Sequence, residues 1–539
     1  MFSLPSGDTR NGLGIRGRCS GAPVSVGSLF SQPSRINGGG RVTHAKGDIA
    51  VSSQISVPGP AVRLDVLIDR RPVGRFHFLV LALTGSVMFL DGLDTQMISF
   101  IAPAVANEWS LPVAALGPIF SASIVGLMVG YLLLSPLANR IGHRKLVIVA
   151  TALFGVLTLL CALAGDQTQL LVLRLLTGVG LGATIPSAVA LASEFAPTRR
   201  RSTFVMFIYC WLALGFVAAS LISGAVIPAW GWRPMFVLGG ILPLLLVLVL
   251  LRFLPDSPSY LLVRDEARAH ATLRRLDPDL GPATRVLPAE RSSGVTGAPG
   301  KTHSPLFELF QRHWLVSTAL LWIAFMLNLG VFYAVQSWLP TILGRLGHAP
   351  STAVAATALT TVGGIAAAIV IGPSMDRRGP YGTLSAVYLL GAVFVSVLAF
   401  AVTGSSWMLL VAAFLAGTCI TGGQMSVIAL ATMLYPPRIR PTGVGWALGI
   451  GRIGGILGPL LVGFVLGSGA TPRTVFLAMG VVLVVASAAV FALAKASRST
   501  RAASQEHPSE PPTSGAGADI MSTEDASSRQ PRQVTVAED

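Results

Sequence analysis

The sequence predicts an all-α membrane protein: twelve transmembrane helices in two pseudo-symmetric six-helix halves. Three observations carry that prediction. Of 539 residues, 52% are hydrophobic and only 12% are charged, where ordinary soluble domains carry roughly 25% charged residues. Apolar runs of about 20 residues, the length a helix needs to cross a bilayer, recur twelve times along the chain. The halves also repeat at a constant offset of 237 residues, which pairs Asp91 with Asn328, Pro103 with Pro340, Pro136 with Pro373 and Gly180 with Gly417. Two parallel halves with a site between them near the midplane is a transporter architecture.

Taken in order, residues 1–72 read as a disordered cytoplasmic extension. The first sixty or so are rich in Gly, Ser, Pro and Arg and hold no apolar core of signal-peptide length. Their Ser/Arg-rich, acid-poor composition resembles a transit peptide or an over-long reading of the start of the gene. The spans are predicted near 77–103, 115–138, 146–165, 168–193, 203–228 and 233–254 in the N-terminal half (73–254). Those of the C-terminal half (315–496) are predicted near 315–340, 352–374, 383–403, 406–433, 443–466 and 473–495. A polar cytoplasmic linker, 255–314, joins the halves, and a disordered cytoplasmic tail, 497–539, ends the chain.

Loop charge sets the orientation. The loops after spans 2, 4, 8 and 10 carry Arg140/Arg144/Lys145, Arg199/Arg200/Arg201, Arg377/Arg378 and Arg438/Arg440, and the linker after span 6 is basic. The opposite loops hold only Arg233, Arg345 and Arg473. Basic loops stay inside, so both termini and the linker are expected to be cytoplasmic. The same rule accounts for the net charge of +15 without a nucleic-acid partner. Cys19, Cys161, Cys210 and Cys419 show no pairing or metal-ligand spacing. No phosphate-cradling G-x-x-x-x-G-K-[ST] loop is present, so transport driven by ATP is not expected. No cofactor, metal or catalytic residue is expected, and the chain does not read as an enzyme.

Several motifs mark the cytoplasmic side. "SPLANRIGHRK", Ser135 to Lys145, resembles the G-x-L-A-D-R-x-G-R-[RK] loop of the major facilitator superfamily, which latches the halves together on the cytoplasmic side. Ser135, Asn139 and His143 stand where that pattern has Gly, Asp and Arg, while the second-half copy keeps Asp376 and Arg377. "SEFAPTRRR" supplies Glu194, Pro197 and Arg201, similar to the E-x-x-P-x-x-x-R of sugar-porter-like facilitators. "LPDSPSYL" resembles their stretch after span 6. The gating set is therefore Asn139, Arg140, Arg144, Glu194, Arg201, Asp376 and Arg377. For Glu194 two readings stand side by side: an exposed salt bridge worth at most about 1 kcal/mol, or a gate pair that forms when the cytoplasmic side closes.

The intramembrane charges ask for a function. "FLDGLDTQMISF" places Asp91 and Asp94 three residues apart, on one helix face. A charge near the bilayer centre costs about 2.5–3.5 kcal/mol on insertion scales. At about 1.5 Å per residue the pair lies roughly 21–26 Å from the cytoplasmic end of span 1, and Arg174 on span 4 reaches a similar depth. An Asp–Arg pair would offset the cost, and a carboxylate there would answer to whatever else fills the cavity. The bland alternative is a static buried ion pair, against which two aspartates facing one arginine argue. In span 11, Arg452 has no acid on its own helix. It suits a substrate carboxylate by bidentate hydrogen bonding, or it pairs with backbone carbonyls or another helix. Span 7 adds Asn328, Phe332, Tyr333 and Gln336 as substrate-binding candidates, three of them in a stripe spaced by four.

"LDVLIDRRPVGRFHF", "DGLDTQMISFIAPA", "RLLTGVGLGATIPSAVALASEFAPTRRR", "SWLPTIL" and "PRIRPTGVGWALGIGRIGGILGP" together resemble the aromatic acid:proton symporter family over about residues 63–495. The resemblance implies proton-coupled uptake of hydroxybenzoate-like acids and assigns coupling to Asp91 and Asp94, with Arg174 beside them. The expected partners are a small aromatic acid, protons and the lipid bilayer of the inner membrane, with the protein acting as a monomer. The rival readings are a symporter of another organic anion, a proton-coupled drug exporter and a transporter-like sensor of aromatic acids. Span 5 lacks the G-P-x-x-G-G-like stretch typical of exporters in this superfamily.

Overall fold

The computed structural model describes residues 61–70, 72–281, 284–287, 309–435 and 439–506. Among them are twelve helices long and apolar enough to cross a membrane. Spans 1–6 are Arg75–Glu108, Val113–Leu137, His143–Cys161, Gln167–Glu194, Thr198–Trp230 and Arg233–Phe253. Spans 7–12 are Trp314–Arg345, Pro350–Arg378, Pro380–Ala401, Ser406–Leu434, Thr442–Gly467 and Pro472–Ser497. Spans 1 and 7 outrun their apolar stretches because the polar turns at their ends stay helical. Side-chain caps define several starts: Asp166 accepts from Gln169 N at 2.9 Å at span 4, and Ser405 accepts from Met408 N at 3.4 Å at span 10.

The repeat seen in the sequence is also a repeat of geometry. The turns after spans 2 and 8 use Gly142 (φ 90°, ψ 147°) and Gly379 (φ 86°, ψ 147°), again 237 residues apart. That backbone region favours glycine. Within each half, helix pairs approach through glycines, as membrane helices do where small residues let backbones meet. Gly215 of span 5 lies against the Phe89 carbonyl of span 1, and Gly454 of span 11 lies against the Met326 carbonyl of span 7. Phe89 and Met326 keep the 237-residue register.

Two stretches depart from the sequence reading, and the linker adds structure that the reading did not specify. Residues 61–70, expected within a disordered extension reaching residue 72, form strand β1 (Ala61–Arg63) and a helix (Leu64–Arg70). Strand β1 pairs in parallel with β2 (Arg285–Leu287) of the linker. The linker itself carries helices Pro258–Arg264 and Glu266–Leu276. The cause is apolar spacing too short to stand out beside the spans: Leu64, Leu67 and Ile68 share one face and bury against Leu273, Leu276 and Leu280. Asp69 then accepts from Thr198 N at 2.6 Å, fixing this small unit to the loop after span 4. At the other end, the helix of span 12 continues to Glu506, into the tail expected to be disordered from 497. Residues 1–60 and 507–539 lie outside the described residues.

The seam between the halves decides where the site opens. Spans 2 and 11 run antiparallel and meet tightly at one end. There a Cβ at Gly117 would lie only 3.2 Å from the backbone of Pro459 and Leu460, Ser121 Oγ donates to the Ile456 carbonyl at 2.8 Å, and Phe120 packs edge-on against Trp338 at 5.2 Å. At the same end Gly224 of span 5 touches Val354 of span 8. Gln96 of span 1 donates to the Gln336 carbonyl of span 7 at 3.3 Å. Moving toward the basic loops, the polar contacts across the seam thin, among the described residues, to one hydrogen bond, Arg452 Nη2 to Tyr131 Oη at 3.4 Å. Beyond it, Gly449 and Gly445, on the same face of span 11 as Arg452, meet nothing within 4 Å. The bundle is thus closed at the end with few charges and open at the end with the basic loops.

Candidate functional site

Two charged centres lie in the bundle, and they differ in kind. In the first, Asp94 and Arg174 are both 0% exposed. Arg174 Nη1 sits 3.0 and 2.9 Å from the two carboxylate oxygens, Nη2 lies 3.4 Å from the Asp94 carbonyl, and Thr158 Oγ1 of span 3 donates to Oδ1 at 3.0 Å. This centre is saturated on the acid side and sealed within the N-terminal half. In the second, Asp91 is as deeply buried but holds only Thr95 Oγ1, at 3.3 Å, and its Oδ2 has no hydrogen-bond partner. Asp91 lies within electrostatic reach of both Asp94 and Arg452. The aspartates predicted to share one helix face therefore have different partners: Asp94 takes Arg174, and Asp91 is left toward the seam.

Arg452 marks the point where the seam opens. Its Nη1 donates to Tyr333 Oη at 2.7 Å, and its guanidinium lies 5.3 Å from the centre of the Tyr131 ring. Tyr209 of span 5 is within electrostatic reach of it. Among the described residues Arg452 makes no ion pair. Its direct partners are hydroxyl groups, one from each half. A guanidinium with two neutral partners and no contacting counter-ion keeps capacity for an anion.

Span 7 divides its predicted residues. Phe332 packs on Phe216 of span 5, ring centres 6.3 Å apart, and against Tyr333 at 5.2 Å, forming an apolar wall across the two halves. Asn328 donates to Gln424 of span 10 at 2.7 Å. Gln336 is already engaged: it donates to Thr361 at 3.0 Å and accepts from Thr360 at 2.9 Å, at the closed end. The structure thus places the Gln336 side chain in the closed gate, because spans 7 and 8 meet there through these hydroxyls.

The gating set gathers mostly on the N-terminal half. Glu194 accepts from Ser257 Oγ at 2.6 Å and from the Ser259 amide at 3.3 Å, with His143 at 3.9 Å. It binds the "LPDSPSYL" stretch and, among the described residues, makes no salt bridge to an arginine. Arg144 bridges Asp256 at 3.2 Å and the Leu251 carbonyl, Arg201 Nε donates to the Ser193 carbonyl, and the Arg140 carbonyl accepts from Tyr260 Oη. Asp376 and Arg377 are exposed and make no ion pair among the described residues. The side chain of Asn139, together with Pro436 and Arg438, lies outside the described residues. No described contact of this set crosses between the halves, consistent with the open end.

Sequence reasoning missed Tyr131, Tyr209 and Gln424. Each is a polar side chain larger than Ser or Thr in an apolar span, and that is a usable signal: a polar group in lipid-length surroundings needs a partner.

The sequence profile of the Major Facilitator Superfamily matches residues 84–403 and 321–532. The chain belongs to the major facilitator superfamily. It is a multi-pass membrane transporter and not an enzyme. It is 38% identical over 435 residues to the 4-hydroxybenzoate transporter PcaK of Pseudomonas aeruginosa, covering 80% of this chain and 96% of that protein. It is 37% identical over 405 residues to the 4-hydroxybenzoate transporter PcaK of Pseudomonas putida, covering 74% and 88%. It is 36% identical over 428 residues to a gallate transporter of Pseudomonas putida, covering 79% and 93%. The resemblance to aromatic-acid transporters noted in the sequence is borne out by these relatives. Among solved structures, an inward-facing, unoccupied bacterial homologue of the human lysosomal transporter Spinster superposes with a TM-score of 0.63 at 18% identity. That likeness covers 80% of this chain and 99% of the other, and it supports the fold.

Proposed function

We propose that this protein imports small aromatic carboxylates of the hydroxybenzoate kind across the inner membrane by proton symport with alternating access, as a monomer with both termini and the linker in the cytoplasm. The observation that carries the reading is Arg452: a half-buried cation at the point where the seam opens, hydrogen-bonded, among the described residues, to the hydroxyls of Tyr333 and Tyr131 and to no acid. A carboxylate entering a low-dielectric cavity needs such a partner, and a planar guanidinium returns two charge-assisted hydrogen bonds that Lys does not reproduce. Phe332, Phe216 and Tyr333 offer aromatic faces for the ring. Asp91, with an unpartnered oxygen and Arg452 within electrostatic reach, carries the coupled proton. Asp94 and Arg174 hold span 1 against spans 3 and 4 and set the field in which Asp91 works. The open end, on the basic-loop side, corresponds in this reading to the inward-facing state.

The test is uptake of labelled 4-hydroxybenzoate into proteoliposomes with and without an imposed inward proton gradient. Accumulation should need the gradient and vanish in Asp91→Asn. Arg452→Ala should weaken affinity by roughly thirty-fold or more, since removing one partner of a buried charged pair costs about 2–5 kcal/mol and each 1.4 kcal/mol is tenfold. Replacing the carboxylate by an amide should hurt the wild type strongly and Arg452→Ala little. Equal discrimination of acid and amide by both proteins would remove Arg452 as the carboxylate ligand. Undiminished accumulation after the gradient is collapsed would remove symport.

A further inference from the structure

The pair Asn328–Gln424 stands apart from both charged centres. Asn328 is fully buried, and while its Nδ2 donates to Gln424 Oε1, its own Oδ1 has no hydrogen-bond partner. Gln424 is half-buried, and among the described residues its Nε2 makes no hydrogen bond. The helix neighbours of Gln424 fix its direction. Gly417 and Thr421 pack on Thr360 and Gly364 of span 8, and Gly423 packs on Tyr388 of span 9. Position 424 lies between those two faces, turned to the bundle interior, where Asn328 meets it. Native interiors rarely leave a buried amide oxygen without a donor.

We propose, resting on the reading of Arg452 as the carboxylate ligand, that Asn328 and Gln424 form a subsite for a phenolic hydroxyl on the substrate ring. A phenol both donates and accepts. Its O–H donates to Asn328 Oδ1, and its oxygen accepts from Gln424 Nε2–H, so the open acceptor and the open donor are completed by one group. The register fits. Tyr333, which holds Arg452 of span 11, and Asn328, which meets Gln424 of span 10, are five residues apart on span 7, about 7.5 Å along its axis and turned about 140° from one another, so they flank the space between spans 10 and 11 from two sides. That axial separation is of the order of the span from the carboxylate to the para substituent of a benzoic acid. Phe332, one turn from Asn328 and adjacent to Tyr333, presents the apolar wall between them. An unhydroxylated acid leaves the Asn328 oxygen and the Gln424 N–H open, and a site built to bond a hydroxyl rejects the analogue that lacks it.

The experiment measures half-saturation for 4-hydroxybenzoate and benzoate with the full chain in proteoliposomes. The wild type should prefer the hydroxylated acid by about tenfold or more. Gln424→Leu and Asn328→Leu should each bring that ratio to within about twofold, through lost affinity for the hydroxylated acid. Gln424→Met, which keeps side-chain length, replaces the leucine variant if that fails to insert. A wild type that carries both acids with equal affinity, or variants that retain the wild-type ratio, overturns the subsite while leaving the carboxylate reading in place. A wild type that carries neither acid overturns both.

Discussion

Asp94→Asn separates the two buried aspartates by what each does for stability. Arg174 Nη1 lies 3.0 and 2.9 Å from the Asp94 oxygens, with Thr158 Oγ1 at 3.0 Å, and neither charged residue is exposed. Two unit charges about 3 Å apart attract by roughly 5–6 kcal/mol at an effective dielectric of about 20. Neutralising Asp94 strands a guanidinium whose Nε already lacks a partner. Removing one member of a buried pair typically costs about 3–5 kcal/mol. The lower end applies here, because unfolded chains in a membrane also find partners. Asp94→Asn and Arg174→Gln should each destabilise the protein by about 3 kcal/mol. Asp91→Asn gives up only a contact with Thr95 at 3.3 Å, and should change stability by less than about 1 kcal/mol. Denaturation of the purified protein in mixed micelles reads these differences. The double variant Asp94→Asn/Arg174→Gln should lose less than the sum of the singles. Equal losses for Asp91→Asn and Asp94→Asn, or additive singles, would refute the division of the pair into a structural and a working carboxylate.

Three further predictions concern helix packing, one within the C-terminal half and two at the seam. Gly454→Ala places a methyl group against the Met326 carbonyl and should cost about 1–3 kcal/mol by overpacking. Gly449→Leu, where nothing lies within 4 Å, should leave stability in this state unchanged yet slow turnover, because the open end must close during alternating access. Unchanged turnover would count against closure along spans 2 and 11. Tyr131→Phe deletes a 3.4 Å hydrogen bond between the halves, worth up to about 1 kcal/mol. Turnover should then shift by at most about fivefold with little change in affinity, whereas a tenfold loss of affinity for the acid would place Tyr131 on the substrate instead.

The particular residues show why parts of the site were legible in advance. Asp91, Asp94, Arg174 and Arg452 stood out because a charge in a lipid-length apolar run is anomalous wherever the helix packs. Asn328 was marked by its register with Asp91. Tyr131, Tyr209 and Gln424 were passed over because one hydroxyl or amide in an apolar span is an ordinary event, and only its neighbours give it meaning. Gln336 looked like a cavity residue because it continues the stripe of Asn328 and Phe332. Thr360 and Thr361 take it up at the closed end, and spacing along span 7 carries no trace of span 8. The helix at Leu64–Arg70 was hidden for a related reason: its three apolar residues bury against linker residues some two hundred positions away.

The sequence by itself determined the twelve spans, their two-fold repeat and the presence of unpaired charge within the membrane. Length, apolarity and loop composition are properties of each segment alone, and the bilayer imposes them before any helix meets another. The tertiary structure decided that Asp94 belongs to Arg174 while Asp91 faces the seam, that Arg452 meets a tyrosine from each half, and that the bundle opens at the basic-loop end. Those outcomes depend on which helix faces touch. Glycine contacts such as Gly215 on Phe89 and Gly454 on Met326 bring together segments more than a hundred residues apart, and partner choice at that range is a property of the packed bundle.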